Sequence, residues 1–218
     1  MRVSLSISAI TAISAITAIT AITATAATAI GGTVAVVALV AGRWVDAVVM
    51  RLVDTVNALP HLILGVVIAS FWRGDPVAVA ASVALTHWPA VARIVRSELL
   101  AIRDSGWVRA SRLAGASRTF VATRHYLPAA LGQIAVAVTL LLPHTIWHES
   151  TLSFLGVGLP PDRASLGTLI GNAQTDILLG AWWTLAIPAT APVITAIAWG
   201  AVANWLGERI SPPTERVW

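Results

Sequence analysis

The sequence predicts an all-α integral membrane protein with about five transmembrane helices. Three observations carry that expectation. The 218 residues are 57% hydrophobic and only 11% charged, with a mean hydropathy of +0.80; soluble chains average roughly 45–50% and about 25%. Five long stretches hold no Asp, Glu, Lys or Arg: 3–42, 55–72, 76–92, 125–148 and 177–207. A hydrocarbon core about 30 Å thick takes about 20 helical residues, and backbone amides in lipid must pair within their own helix.

The first stretch runs for 40 residues, more than one crossing needs. Its residues 7–30 repeat Ile-Thr-Ala and Ile-Ser-Ala triplets. Three residues are less than one helical turn, so this is low complexity and not a solenoid repeat. Gly31-Gly32 is expected to break the run. A cleaved signal peptide competes as an explanation, but only Arg2 supplies positive charge and the apolar stretch exceeds a usual signal core. The second and third stretches, of 18 and 17 residues, are short and must tilt or borrow flanking residues.

Composition excludes several chemistries. There is no cysteine, hence no disulfide framework, thiolate metal site or cysteine nucleophile. All 14 basic residues are arginine, so there is no lysine Schiff base and no P-loop of the G-x-x-x-x-G-K-[ST] kind. With five spans and the N-terminus outside, segments 43–54, 93–124 and 208–218 face inward and hold eleven of the fourteen arginines, against Arg2, Arg73 and Arg163 outside. By the positive-inside bias, segment 93–124 and the C-terminus are cytoplasmic. The Gly- and Pro-rich segment 149–176 then faces outward.

Within the cytoplasmic segment, Trp107, Val108, Ala110, Ser111 and Ala114 are spaced for one face of a short helix. Gly115-Ala116-Ser117 reads as a stop, and a second short helix should end near Leu127-Pro128. The ordinary interpretation is a basic loop against anionic lipid heads. The sharper one is a docking site for a cytoplasmic protein. Nucleic-acid binding is not expected of such a chain.

Polar residues in or near the apolar runs are Asn57, His61, His87, Gln133, His144, His148 and Asn204. Such groups face a bundle interior or cavity and most often hydrogen-bond between helices. His144 and His148 lie four apart on one helix face. A zincin needs H-E-x-x-H, and Thr145 stands where its glutamate belongs. No metal site or catalytic residue is therefore assigned, and contact with a passing metal or metal chelate is the milder option.

Four ordered blocks resemble one family. Val108-Arg109-Ala110-Ser111-Arg112-Leu113-Ala114-Gly115-Ala116-Ser117 with Arg124-His125-Tyr126-Leu127-Pro128 is similar to the E-A-A…G…L-P loop of ABC importer permeases, the inner-membrane components of binding-protein-dependent transport systems. The others are Gly42–Asp46 with Met50–Asp54 and Leu59-Pro60, then Trp88–Arg96, then Leu152–Leu159. The peptide/nickel branch fits best. Arg109 takes the place of the family's glutamate and Ser111 that of its second alanine, while Gly115 matches its glycine. Family members begin with a helix and an outer segment that have no counterpart here, so the resemblance implies the core of a six-helix permease without its first helix.

The resemblance divides the chain into an apolar segment with the first span (1–41), a permease domain (42–210) with a coupling loop at about 98–126, and a cytoplasmic tail (211–218). It implies a bacterial inner-membrane permease carrying peptides, nickel or a metal chelate. It also implies a second permease subunit, two cytoplasmic ATPases that use ATP and Mg, and an extracytoplasmic binding protein. No cofactor is bound directly and the chain itself is not an enzyme. The implied docking residues are Trp107, Val108, Arg109, Ala110, Ser111, Arg112 and Gly115; Trp107 and Val108 are the apolar anchors, and Arg109 and Arg112 set the electrostatic fit. Asn57, His61, His87, Gln133, His144 and His148 are candidates for the translocation path. An intramembrane metalloprotease and a secondary transporter or channel are the alternatives.

Overall fold

A computed structural model describes residues 2–160, 163 and 165–210, with side chains over 19–160, 163 and 165–209. The tail 211–218 and its Arg216 lie outside the described residues. In chain order the helices are α1 (Arg2–Ala41), α2 (Arg43–Asn57), α3 (His61–Ser70), α4 (Pro76–Arg103), α5 (Gly106–Leu113), α6 (Arg118–Val121), α7 (Leu127–Phe154), α8 (Leu166–Leu178) and α9 (Trp183–Ile210). A π-helical turn, Ala122–Tyr126, joins α6 to α7. No strand occurs among the described residues.

Four segments are long and apolar enough to cross a membrane: Ile19–Ala41, Pro76–Arg103, Arg118–Phe154 and Trp183–Arg209. The expected crossing at 55–72 takes a different form. Leu59-Pro60 breaks it, and α2 and α3 meet at 82°. Pro60 lacks a backbone N–H and holds its neighbour Leu59 out of the helical region. The count reaches five only if this bent pair is one crossing.

Gly31-Gly32 does not break α1, which is continuous to Ala41. The triplet repeat instead sets a buried stripe of small residues: Thr20, Thr23, Ala24, Ala27, Thr28, Gly31, Gly32, Ala35 and Ala38. That spacing is one face of a helix, and α1 lays it against α4 and α7. Small residues let helix backbones approach closely in lipid. A Cβ on Gly31 would stand 2.5 Å from the Trp88 carbonyl oxygen and 2.8 Å from Val91 Cβ. The threonine hydroxyls need no partner helix: Thr23 and Thr28 donate to the carbonyls of Ile19 and Ala24, each at 2.7 Å.

Helix α4 starts on Asp75, whose carboxylate accepts from Val77 N at 2.8 Å, with Pro76 in the first turn. These are ordinary start signals. The helix occupies the centre: Val79, Val83, Val91, Ala92, Val95 and Leu99 are buried. Helix α2 is amphipathic. Trp44, Val48 and Leu52 are exposed, while Asp46 and Val53 turn inward. Arg96 of α4 donates two hydrogen bonds of 2.6 Å to Asp46, and Arg93 donates one of 2.6 Å to Asp54. The two pairs fasten α2 along α4.

The second short helix does not end at Leu127-Pro128. Proline is tolerated in a helix's first turn, and Pro128 sits there at the start of the 28-residue α7. Within 149–176, Glu149 belongs to α7 and is buried, and 166–178 form α8. Ser153 Oγ donates to Glu149 Oε1 at 2.8 Å and accepts from Leu159 N at 2.9 Å, tying the Gly-rich segment back onto α7.

Candidate docking site and translocation-path residues

Helix α5 is the helix expected over 107–114. It ends where Gly115 adopts φ +86°, a left-handed conformation that glycine enters without steric penalty. Ala116 N donates to Ser111 O and Gly115 N to Arg112 O, both at 3.0 Å, the Schellman pattern that satisfies the last carbonyls. A Cβ on Gly115 would meet nothing within 4 Å, so the position needs glycine for its turn and not for close approach. Ser117 then caps α6, its hydroxyl accepting from Phe120 N at 3.1 Å.

Two side-chain bonds staple α5 to the π-helical turn. Ser111 Oγ and His125 Nε2 lie 2.9 Å apart, and Arg112 donates to the Tyr126 hydroxyl. Trp107 meets His125 edge-on with ring centroids 4.9 Å apart, and Phe120 stands 5.9 Å from the same ring. A π turn widens the helix by one residue, and here it carries both staples. His125, Tyr126 and Phe120 were not among the expected docking residues; the Arg124-His125-Tyr126 block held the only signal.

One expected anchor faces the other way. Val108 is fully buried with Val95, Leu99, Val121 and Tyr126 and locks α5 onto the bundle, so it offers no outward contact. Trp107 is half exposed, and Leu113 is 89% exposed. Arg109, Ala110 and Arg112 are exposed and Ser111 is half-buried. The outward apolar surface is therefore Trp107 and Leu113, with Phe120 beside them.

Of the polar residues expected along a path, four histidines converge from three helices. His61 opens α3, His87 lies on α4, and His144 and His148 lie on α7. His87 is central: its ring centroid stands 5.6 Å from His61, 6.2 Å from His144 and 4.6 Å from His148. His87 Nδ1 lies 2.9 Å from the Val83 carbonyl oxygen. Thr86 Oγ1 lies 2.9 Å from the same nitrogen. His61 Nδ1 is buried without a hydrogen-bond partner among the described residues. His144 lines an apolar cleft of about 520 Å³ between α7 and α9, with Trp147, Pro143 and Pro192. Among the described residues no three ligating groups are placed to hold a metal ion.

The other polar candidates stand apart. Gln133 donates to Glu98 at 3.2 Å; Glu98 lies 11 residues along α4 from His87, about 16 Å at helical rise. Asn57 ends α2 beyond the bend, and Asn204 is exposed on α9.

Comparison with known proteins agrees with this architecture. The model of the binding-protein-dependent transport system inner membrane component family matches residues 27–216. A putative peptide transport system permease protein of Brucella suis is 35% identical over 167 residues, 77% of this chain and 56% of the relative. The dipeptide transport system permease protein DppC of Bacillus subtilis is 31% identical over 175 residues, 80% of this chain and 55% of the relative. The chain thus spans little more than half the length of these curated relatives. It is also similar in fold to a chain of the MetNI methionine ABC transporter solved in inward facing conformations, with a TM-score of 0.72, 21% identity, and 89% of this chain and 92% of that chain covered. An amino acid ABC transporter crystallised with histidines gives a TM-score of 0.67 at 17% identity, covering 95% and 96%. With its all-helical, multi-pass build and a family match over most of its length, the chain belongs to the binding-protein-dependent transport system inner membrane components, the permeases of ABC importers.

Proposed function

We propose that this chain is a membrane-spanning subunit of an ABC importer for peptides. It forms the translocation path with a second permease subunit and takes its energy from separate ATPase subunits docked on residues 106–126. An extracytoplasmic binding protein delivers the cargo. The observation that carries this proposal is the stapled helix pair. Ser111–His125, Arg112–Tyr126 and the buried Val108 make α5 and the base of α7 one rigid body, while Trp107 and Leu113 stay uncovered. A rigid knob joined to a membrane-crossing helix is what a motor needs to move a pore between two states. The absence of lysine fits hydrolysis delegated to a partner, and the arginine bias supports a cytoplasmic position for the knob. The peptide relatives support the cargo class.

Co-expression with a candidate ATPase subunit tests the docking. Leu113→Glu with Trp107→Ala should abolish co-purification, whereas Arg73→Gln, between α3 and α4, should leave it intact. Undiminished co-purification of the double variant would overturn the docking role.

The four histidines favour a second cargo, nickel or another metal chelate. His87 and the unpartnered His61 Nδ1 offer imidazole nitrogens of the kind such metals accept. Uptake assays with radioactive nickel and with a dipeptide, on wild type and His87→Gln, separate the two. A metal-chelate carrier loses nickel uptake alone.

A further inference from the structure

A cleft of about 320 Å³ lies between the end of α1 and the α5–α6 pair, and its lining includes neither the exposed Trp107 and Leu113 nor any of the four clustered histidines. Leu39 and Val40, in the last turn of a membrane-crossing helix, line one side. Arg112, Arg118 and Tyr126 line the other. We propose that this cleft binds the phosphate headgroup of an anionic glycerophospholipid, with the start of its acyl chains against Leu39 and Val40.

Three observations support the assignment. First, the cleft is cationic and its arginines have no acidic partner among the described residues. Arg112 spends one N–H on the Tyr126 hydroxyl, and Arg118 makes no side-chain hydrogen bond or ion pair there. Asp104 pairs with Arg103 at 3.4 Å and does not line the cleft. Guanidinium groups match phosphate oxygens in charge and geometry. Second, the two kinds of lining are segregated as they are in a lipid. The apolar side is the end of a span, where hydrocarbon gives way to headgroups, and the cationic side is the polar loop beyond it. Third, Arg112 donates to the Tyr126 hydroxyl and lines this cleft beside the last turn of α1. The last turn of a span is where anionic headgroups are concentrated. Because Arg112 belongs to α5, a bound lipid steadies the helix that carries Trp107 and Leu113.

The test uses the full chain in nanodiscs of equal phosphatidylglycerol and phosphatidylcholine, followed by detergent extraction and native mass spectrometry of the retained lipid. Wild type should retain phosphatidylglycerol in preference to phosphatidylcholine. Arg118→Gln should weaken that retention about fivefold, the effect of one arginine near a membrane surface. Arg112→Gln with Arg118→Gln should remove the preference. Arg118→Lys should restore most of the retention, and the charge-matched control Arg51→Gln with Arg124→Gln should leave it unchanged. Arg118→Gln breaks no hydrogen bond, so it remains decisive if the Arg112 variant fails to fold. Unchanged retention in Arg118→Gln, or an equal fall in the control, overturns the proposal. Displacement of the lipid by excess inorganic phosphate overturns it in favour of a free-anion site. Displacement by the bound ATPase overturns it in favour of a protein contact.

Discussion

Helices α1 and α9 look alike as text and behave differently in the fold. Both are apolar and free of charge over most of their length, and both come from the longest uncharged stretches of the chain. Yet α1 is packed into the bundle along a stripe of Ala, Thr and Gly, while α9 leaves Ile187, Val193, Ile194, Ile197 and Trp205 exposed. Lipid is as apolar as leucine, so hydrophobicity gives a membrane helix no reason to choose protein over lipid. Side-chain size does. The larger residues of α1, such as Ile22, Ile30 and Val37, point outward, and its small ones admit a neighbouring backbone.

The largest test of that difference exchanges one atom group on each helix. Gly31→Ala inserts a Cβ against the Trp88 carbonyl oxygen, Val91 and Ala92 N and should destabilise the protein by about 3 kcal/mol, the upper range for overpacking. Gly200→Ala on α9 meets nothing within 4 Å and should be neutral or stabilise by up to about 1 kcal/mol through helix propensity. Thermal unfolding in detergent reads both. Equal effects would remove side-chain size as the deciding factor.

A second contrast sets a shielded polar contact against an open one. Asp46 is largely buried and receives two hydrogen bonds from Arg96, whereas Asp54 and Arg93 are more than half exposed. Asp46→Asn should destabilise by about 2 kcal/mol, the worth of hydrogen bonds to a charged group, and Asp54→Asn by less than about 0.5 kcal/mol. The hydrogen bonds from Arg96 hold the Asp46 carboxyl below the ordinary aspartate value of 3.8. A carboxylate with a depressed folded-state pKa stabilises fully above its unfolded value, and that contribution is lost as pH falls below 3.8 through the folded value. Wild type should therefore lose stability on acidification over that range more steeply than Asp46→Asn, as read by unfolding temperature against pH.

The smallest effect belongs to the exposed face of α9. Ile197→Ala should change stability by less than about 0.5 kcal/mol, measured in the same assay. A loss comparable with a core truncation would show that α9 is covered by something firmer than lipid.

The sequence yields the spans wherever charge is excluded from about 20 residues, and it yields α5 with its glycine stop because Gly115 marks a turn that local chemistry alone dictates. It misjudges Gly31-Gly32 because a helix-breaking tendency in water becomes a packing advantage once a second helix lies alongside. It misjudges Leu127-Pro128 because proline ends one helix and begins another with the same ring. The bend at Pro60 hides because hydropathy is blind to direction. In the candidate sites, the four-residue spacing puts His144 and His148 on one face, but only tertiary packing brings His87 and His61 to them. The inward turn of Val108 is not legible because helical spacing gives a face without saying which way it looks.

Helix α7 begins at the staples on His125 and Tyr126 and carries His144 and His148 near its far end. From Leu127 to His148 it spans about 32 Å at 1.5 Å per residue. Pivoted at its foot, such a rod magnifies: a lean of about 5° sweeps the imidazole end sideways by roughly 3 Å, the width of a water molecule. If α5 is the grip proposed above, a small lean imposed there is felt at the histidine cluster as a displacement several times larger.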